Sequence, residues 1–70
     1  MEYLKEDLAE AQRQIGSTLH KLRETVKTLR AKENPERYKS QITLAERRIK
    51  AFELADALIE RERAQGRGPA

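Results

Sequence analysis

The chain contains no cysteine and no tryptophan among its 70 residues. A disulfide framework, a thiolate metal site and a cysteine nucleophile are therefore excluded. Aromatic side chains are scarce, with only Tyr3, Tyr38 and Phe52 present. A stacking platform for RNA needs several exposed aromatics interleaved with bases, and this chain does not offer them. Glycine is also rare, and the pair in Gly66-Arg67-Gly68 lies in a short polar stretch, not in a phosphate-cradling loop. No apolar run approaches the ~18 residues that a membrane span requires, so no membrane is expected among the partners. The opening Met1-Glu2-Tyr3-Leu4-Lys5-Glu6-Asp7 is acidic and lacks an apolar signal core. That argues against export by a signal peptide, and a cytoplasmic location is expected.

Charge and helix formers are what the chain has in abundance. Charged residues make up 39% and hydrophobic residues 37%, which leaves little apolar material for an enzyme-sized core. Below about 70–80 residues a lone core seldom supplies more than about 3–5 kcal/mol, so a partner is expected. Ala, Leu, Glu, Lys, Arg and Gln dominate the sequence between its few breaks, and all are strong helix formers.

The apolar spacing predicts two helices. Helix 1 is expected over about 2–32, with a stripe of Leu4, Leu8, Ala11, Ile15, Leu19, Leu22, Val26 and Leu29. Its steps of three and four residues make a coiled-coil seam, with one stutter at Ile15–Leu19. Asn34-Pro35 then marks a break. Pro35 disfavours helical geometry at Asn34 but suits a first helical position, with Asn34 as the cap. A turn is expected at 33–34, helix 2 over about 35–64, and a disordered tail at 65–70. Residues 1–64 would form one unit. The seam of helix 2 is Tyr38, Ile42, Ala45, Ile49, Phe52 and Ile59, with Asp56 at the missing step.

A short turn makes the two helices antiparallel neighbours, so facing residues should have a nearly constant index sum. Leu29 with Tyr38, Val26 with Ile42, Leu22 with Ala45, Leu19 with Ile49, Ile15 with Phe52 and Leu8 with Ile59 all sum to 67 or 68. These residues are the predicted core of an all-α, antiparallel two-helix hairpin. Gly16 would lie beside Phe52 and relieve crowding there. Asp56 has two readings. A small rotation of the helix lets Ala55 and Ile59 take the seam while Asp56 reaches water; alternatively, Asp56 is a polar position that sets register, paired with Arg13 or a partner's base.

Helix 2 has more apolar surface than one neighbour covers. Leu44, Ala51, Ala55 and Leu58 form a second stripe with Leu54 near its edge. Contiguous exposed apolar area marks an interaction site, although scattered surface leucines are normal in soluble proteins. Covering this face would complete a bundle, with a partner or with a second copy.

Charge is segregated along the chain. Residues 1–12 hold one Lys against four acids, and residues 13–32 hold six basic residues against one acid. Glu33–Arg37 and Glu46–Lys50 have the spacing of solvated helix pairs. Arg13, Lys21, Arg23, Lys27, Arg30, Arg47 and Arg48 could track phosphates as a stripe, as in a dimeric hairpin resembling the plasmid RNA-binding Rop bundle. A net charge of +3 is too modest to imply nucleic acid by itself.

Sites for chemistry are not found. His20 is the lone histidine, and Glu24 at i+4 offers it only a surface partner; neither a nucleophile nor an oxyanion site accompanies it. Glu6/Glu10 and Glu60/Glu62 are carboxylate pairs at helix ends, expected in water. No catalytic residue, metal ligand or cofactor is assigned, and no enzymatic activity is expected.

The hinge-to-helix stretch Asn34-Pro35-Glu36-Arg37-Tyr38-Lys39-Ser40-Gln41 resembles that of the small co-chaperones of type III secretion needle subunits, the YscE/PscE/SsaE-like group. Pro35 and Tyr38 fall in a Pro-x-x-Tyr helix opening, although Lys39 follows where Gln is more usual. The run Leu44-Ala45-Glu46 through Ile49 to Ala57-Leu58-Ile59 is similar in texture. The resemblance implies a helical hairpin in the bacterial cytoplasm that binds a helical-repeat chaperone. The pair would keep a secreted needle or translocator subunit soluble until export.

Overall fold

A computed structural model of the chain describes residues 3–65. Helix α1 spans Lys5–Arg30, a single 3₁₀ turn spans Pro35–Tyr38, and helix α2 spans Lys39–Gln65. The two helices pack against each other as an antiparallel hairpin, and the described residues contain no strand. The molecule is a rod of 55 × 15 × 15 Å with a radius of gyration of 16.0 Å. A compact chain of this length would have a radius near 11 Å. Two helices side by side enclose no interior, and the rod shape follows from that.

The helix ends differ from the sequence expectation. Leu4, in extended geometry, is the N-cap of α1, and its carbonyl accepts the first helical bond from Leu8. Leu4 is therefore outside the stripe and 61% exposed, and the expected start near Glu2 lies outside the described residues. At the other end α1 stops at Arg30, and Ala31 and Lys32 donate tightened bonds to Lys27, Thr28 and Leu29 carbonyls. The break at Asn34-Pro35 is where the sequence places it. Asn34 has φ −125° and ψ 77°, out of the helical region, as the ring of a following proline requires. Its side chain makes no capping bond; its carbonyl accepts from Arg37 instead. Pro35 opens a 3₁₀ turn and not α2 itself, and α2 continues through Gln65, which was expected in the tail. The rest of the predicted tail, 66–70, lies outside the described residues.

Packing is tightest near the hinge. Val26, Ile42 and Ala45 form the buried cluster, with Leu22, Leu29, Tyr38 and Ile49 partly buried against it. Leu19 is the remaining buried apolar residue among those described. Toward the open end Leu8, Ile15, Phe52 and Ile59 are only half-buried. The Lys32 ammonium lies 5.8 Å from the centre of the Tyr38 ring and covers the hinge end of the core.

Gly16 does not sit beside Phe52. A methyl group built on it would meet nothing within 4 Å, because its position points away from the seam. Its cost to the helix, about 0.5–1 kcal/mol relative to Ala, is therefore not offset by relief of crowding.

Candidate protein-interaction face

The heptad repeat of α2 distributes its side chains around the seam. Ile42, Ile49 and Asp56 fall at one seam position, and Ala45, Phe52 and Ile59 at the other. Glu46, Glu53 and Glu60 follow at seven-residue intervals along one flank. On α1, Arg23 and Arg30 occupy the matching flank. In an antiparallel pair these flanking positions face each other across the seam.

Polar contacts close that flank. Arg30 is ion-paired with Glu46, and Arg23 with Glu53. Position 16, the next in the arginine series, is glycine, and Gln12 supplies the third rung. Its amide nitrogen donates to Asp56 at 3.2 Å and to Glu60 at 3.1 Å, while Arg63 donates to its carbonyl oxygen. All the ion-paired side chains are about half exposed. Such pairs contribute about 0–1 kcal/mol each, so they select register more than they add stability.

This arrangement corrects three expectations. Asp56 remains half-buried at the seam instead of turning out to water, and its partner is Gln12, not Arg13. Arg13 pairs with Glu10 within α1. Glu46 reaches across to Arg30 and is not paired with Lys50. The signal for this ladder was in the sequence: Glu46, Glu53 and Glu60 repeat every seven residues, as do Arg23 and Arg30.

The opposite flank has a different character. Leu44, Ala51 and Leu58 run along it at seven-residue intervals, and all three are exposed, the leucines at 47% and 53%. Ala55 lies between this stripe and the seam and is half-buried, so it belongs to the face less fully than the others. Leu54 is 63% exposed, one position further out. On α1 the equivalent positions are Lys21 and Thr28, with Thr18 and Thr25 nearer the seam, where α2 has Arg48 and Ala55. An open groove of about 490 Å³ extends the face at the open end, lined by Tyr3, Leu8, Leu58, Ile59 and Glu62 among others.

The other candidates are dispersed. His20 and Glu24 are both exposed, with no hydrogen bond between them. Among the described residues no group of three His, Cys, Asp or Glu could hold a metal ion. No helix among them is long and apolar enough to cross a membrane. In the basic stripe, Arg13, Arg23 and Arg30 are each engaged by a carboxylate of this chain, which interrupts any track for phosphates. Comparison of the chain with family models, curated proteins and solved structures returned no match.

Proposed function

We propose that the chain is a non-enzymatic protein-binding module that works by burying the Leu44–Ala51–Leu58 flank against a protein partner. The observation that supports this reading is the asymmetry of the hairpin. One flank is occupied by its own ion pairs, and the other presents Leu44, Ala51 and Leu58 exposed, with Arg48 among them. Burying apolar area contributes about 25 cal/mol per Å², and this flank is where the hairpin has such area left over.

The resemblance of the Pro35–Tyr38 opening adds a more specific role. The partner would be a helical-repeat chaperone of the bacterial cytoplasm, and the complex would shield an aggregation-prone type III secretion subunit. Co-expression of the three proteins tests it. The subunit should stay soluble in a stoichiometric complex with the wild-type chain. It should precipitate with Leu44→Glu or Leu58→Glu while circular dichroism shows the helices intact. A complex that forms equally well with both variants would show that this flank is ordinary surface.

A further inference from the structure

The open flank carries a local excess of positive charge as well as leucines. Facing residues of the hairpin sum to about 68, so Lys21 of α1 stands at the same height along the rod as Arg47 and Arg48 of α2. By their heptad positions Lys21 and Arg48 border the groove between the helices on this flank, and Arg47 lies behind Arg48 on the outer side of α2. All three are exposed, and among the described residues none is ion-paired with a carboxylate. Leu44 lies one turn toward the hinge from this band and Ala51 one turn toward the open end, with Leu54 and Leu58 beyond.

The acids of the chain do not neutralise the band. Glu46 and Glu53 are held by Arg30 and Arg23 on the closed flank. Glu24 is one turn nearer the hinge, at the position of α1 furthest from the seam. Lys32, the next cation toward the hinge, lies over the Tyr38 ring. At the open end Arg61 shares its height with Asp7 and Glu62, so the cationic excess of this flank is confined to Lys21, Arg47 and Arg48.

We infer that the partner segment seated on this flank is an acidic amphipathic helix, its apolar stripe on Leu44, Ala51 and Leu58 and its carboxylates on Lys21, Arg47 and Arg48. The inference rests on reading the flank as a binding face, and it specifies the chemistry of what binds there. A helix laid along the groove completes a three-helix bundle, and its anchors recur at the three- and four-residue spacing that α2 presents. Glutamates or aspartates between two anchors reach the band and give its cations partners as water is displaced. A helix without them would draw three charges out of water uncompensated. A second copy of the chain is a poor occupant for the same reason, because it brings its own Arg47, Arg48 and Arg61 to the contact.

Two labelled synthetic helices test this against the full chain by fluorescence anisotropy. Each has about 21 residues, enough to span Leu44 to Leu58 at ~1.5 Å per residue. They share one leucine stripe and differ only in the two central turns, where the residues flanking the stripe are glutamate in one peptide and lysine in the other. The glutamate peptide should bind at least about tenfold more tightly, and its advantage should shrink as salt screens it. Lys21→Glu/Arg48→Glu should reverse the preference. Lys27→Glu/Lys50→Glu makes the same change of net charge away from this flank and should keep the glutamate peptide ahead, with circular dichroism showing both variants helical.

Equal binding of the two peptides, or loss of the preference in both double variants alike, overturns the acidic helix. If Leu58→Glu then weakens both peptides, the binding face stands and only its charge selectivity fails. Binding of neither peptide also overturns the inference, and if Leu58→Glu leaves capture of the secretion chaperone unchanged as well, the proposed function falls with it. Displacement of the glutamate peptide by an RNA oligonucleotide whose own binding is indifferent to Leu58→Glu would assign the band to phosphates and overturn the inference likewise.

Discussion

The two flanks of this hairpin are built on the same seven-residue repeat and have opposite fates. On one, Glu46 and Glu53 meet Arg30 and Arg23 of the neighbouring helix. On the other, Leu44, Ala51 and Leu58 stay exposed beside the seam. The difference separates two tasks that a chain of this size must perform. The charged flank rewards one register and penalises slippage, since a slip would set arginines beside the wrong residues. The apolar flank is left out of the seam, and under the proposed function it is the surface that a partner covers.

Four substitutions test the contrast between the flanks. The largest effect on folding should come from the seam that both flanks share. Ile42→Ala should cost about 2–4 kcal/mol, enough to unfold much of a hairpin whose core supplies only about 3–5 kcal/mol; thermal melting by circular dichroism would check it. Leu58→Glu should leave that melting curve of the isolated hairpin close to wild type and weaken capture of the partner by more than tenfold, about 1.4 kcal/mol or more, as read by a binding titration. A large loss of helicity would mean that Leu58 serves the hairpin core after all.

Gly16→Ala should stabilise the hairpin by about 0.5–1 kcal/mol, because the added methyl meets open space. Urea denaturation would show a higher midpoint with an unchanged slope; a destabilised variant would mean that something packs closely over Gly16. The smallest effect belongs to the charged flank. Arg23→Ala should cost less than about 1 kcal/mol, and the loss should shrink in high salt. A cost as large as that of Ile42→Ala would make the ladder a principal source of stability instead of a register device.

The hinge half and the open half also differ. Buried apolar residues cluster at Val26, Ile42 and Ala45, whereas Phe52 and Ile59 are half-buried. Loosely packed ends open more readily than cores, so amide exchange should be fastest toward the open end within both helices. Ile59 borders the groove at that end, and docking there should slow exchange around it.

Much of the fold was legible because its signals are local. The three-and-four spacing marks a helix stripe wherever it occurs, and Asn34-Pro35 interrupts helical geometry through steric contact between adjacent residues. The index sum of 68 recurs in the bond between Gln12 and Asp56. What was not legible depended on direction around the helix. Gly16 is near Phe52 by index but points elsewhere, and Asp56 stays at the seam because Gln12, on the other helix, satisfies it. Index arithmetic locates height along the rod and says little about azimuth.

The amino-acid order by itself determined the two rods, the place of the bend and the residues that line the seam, since each follows from contacts within a few residues along the chain. Only the packing of one rod on the other decided that Arg30 meets Glu46, that Arg23 meets Glu53 and that Gln12 holds Asp56 at the seam. The reason is physical: a helix presents flanks on both sides of its stripe, and which one meets partner charges is settled when the second helix is in place.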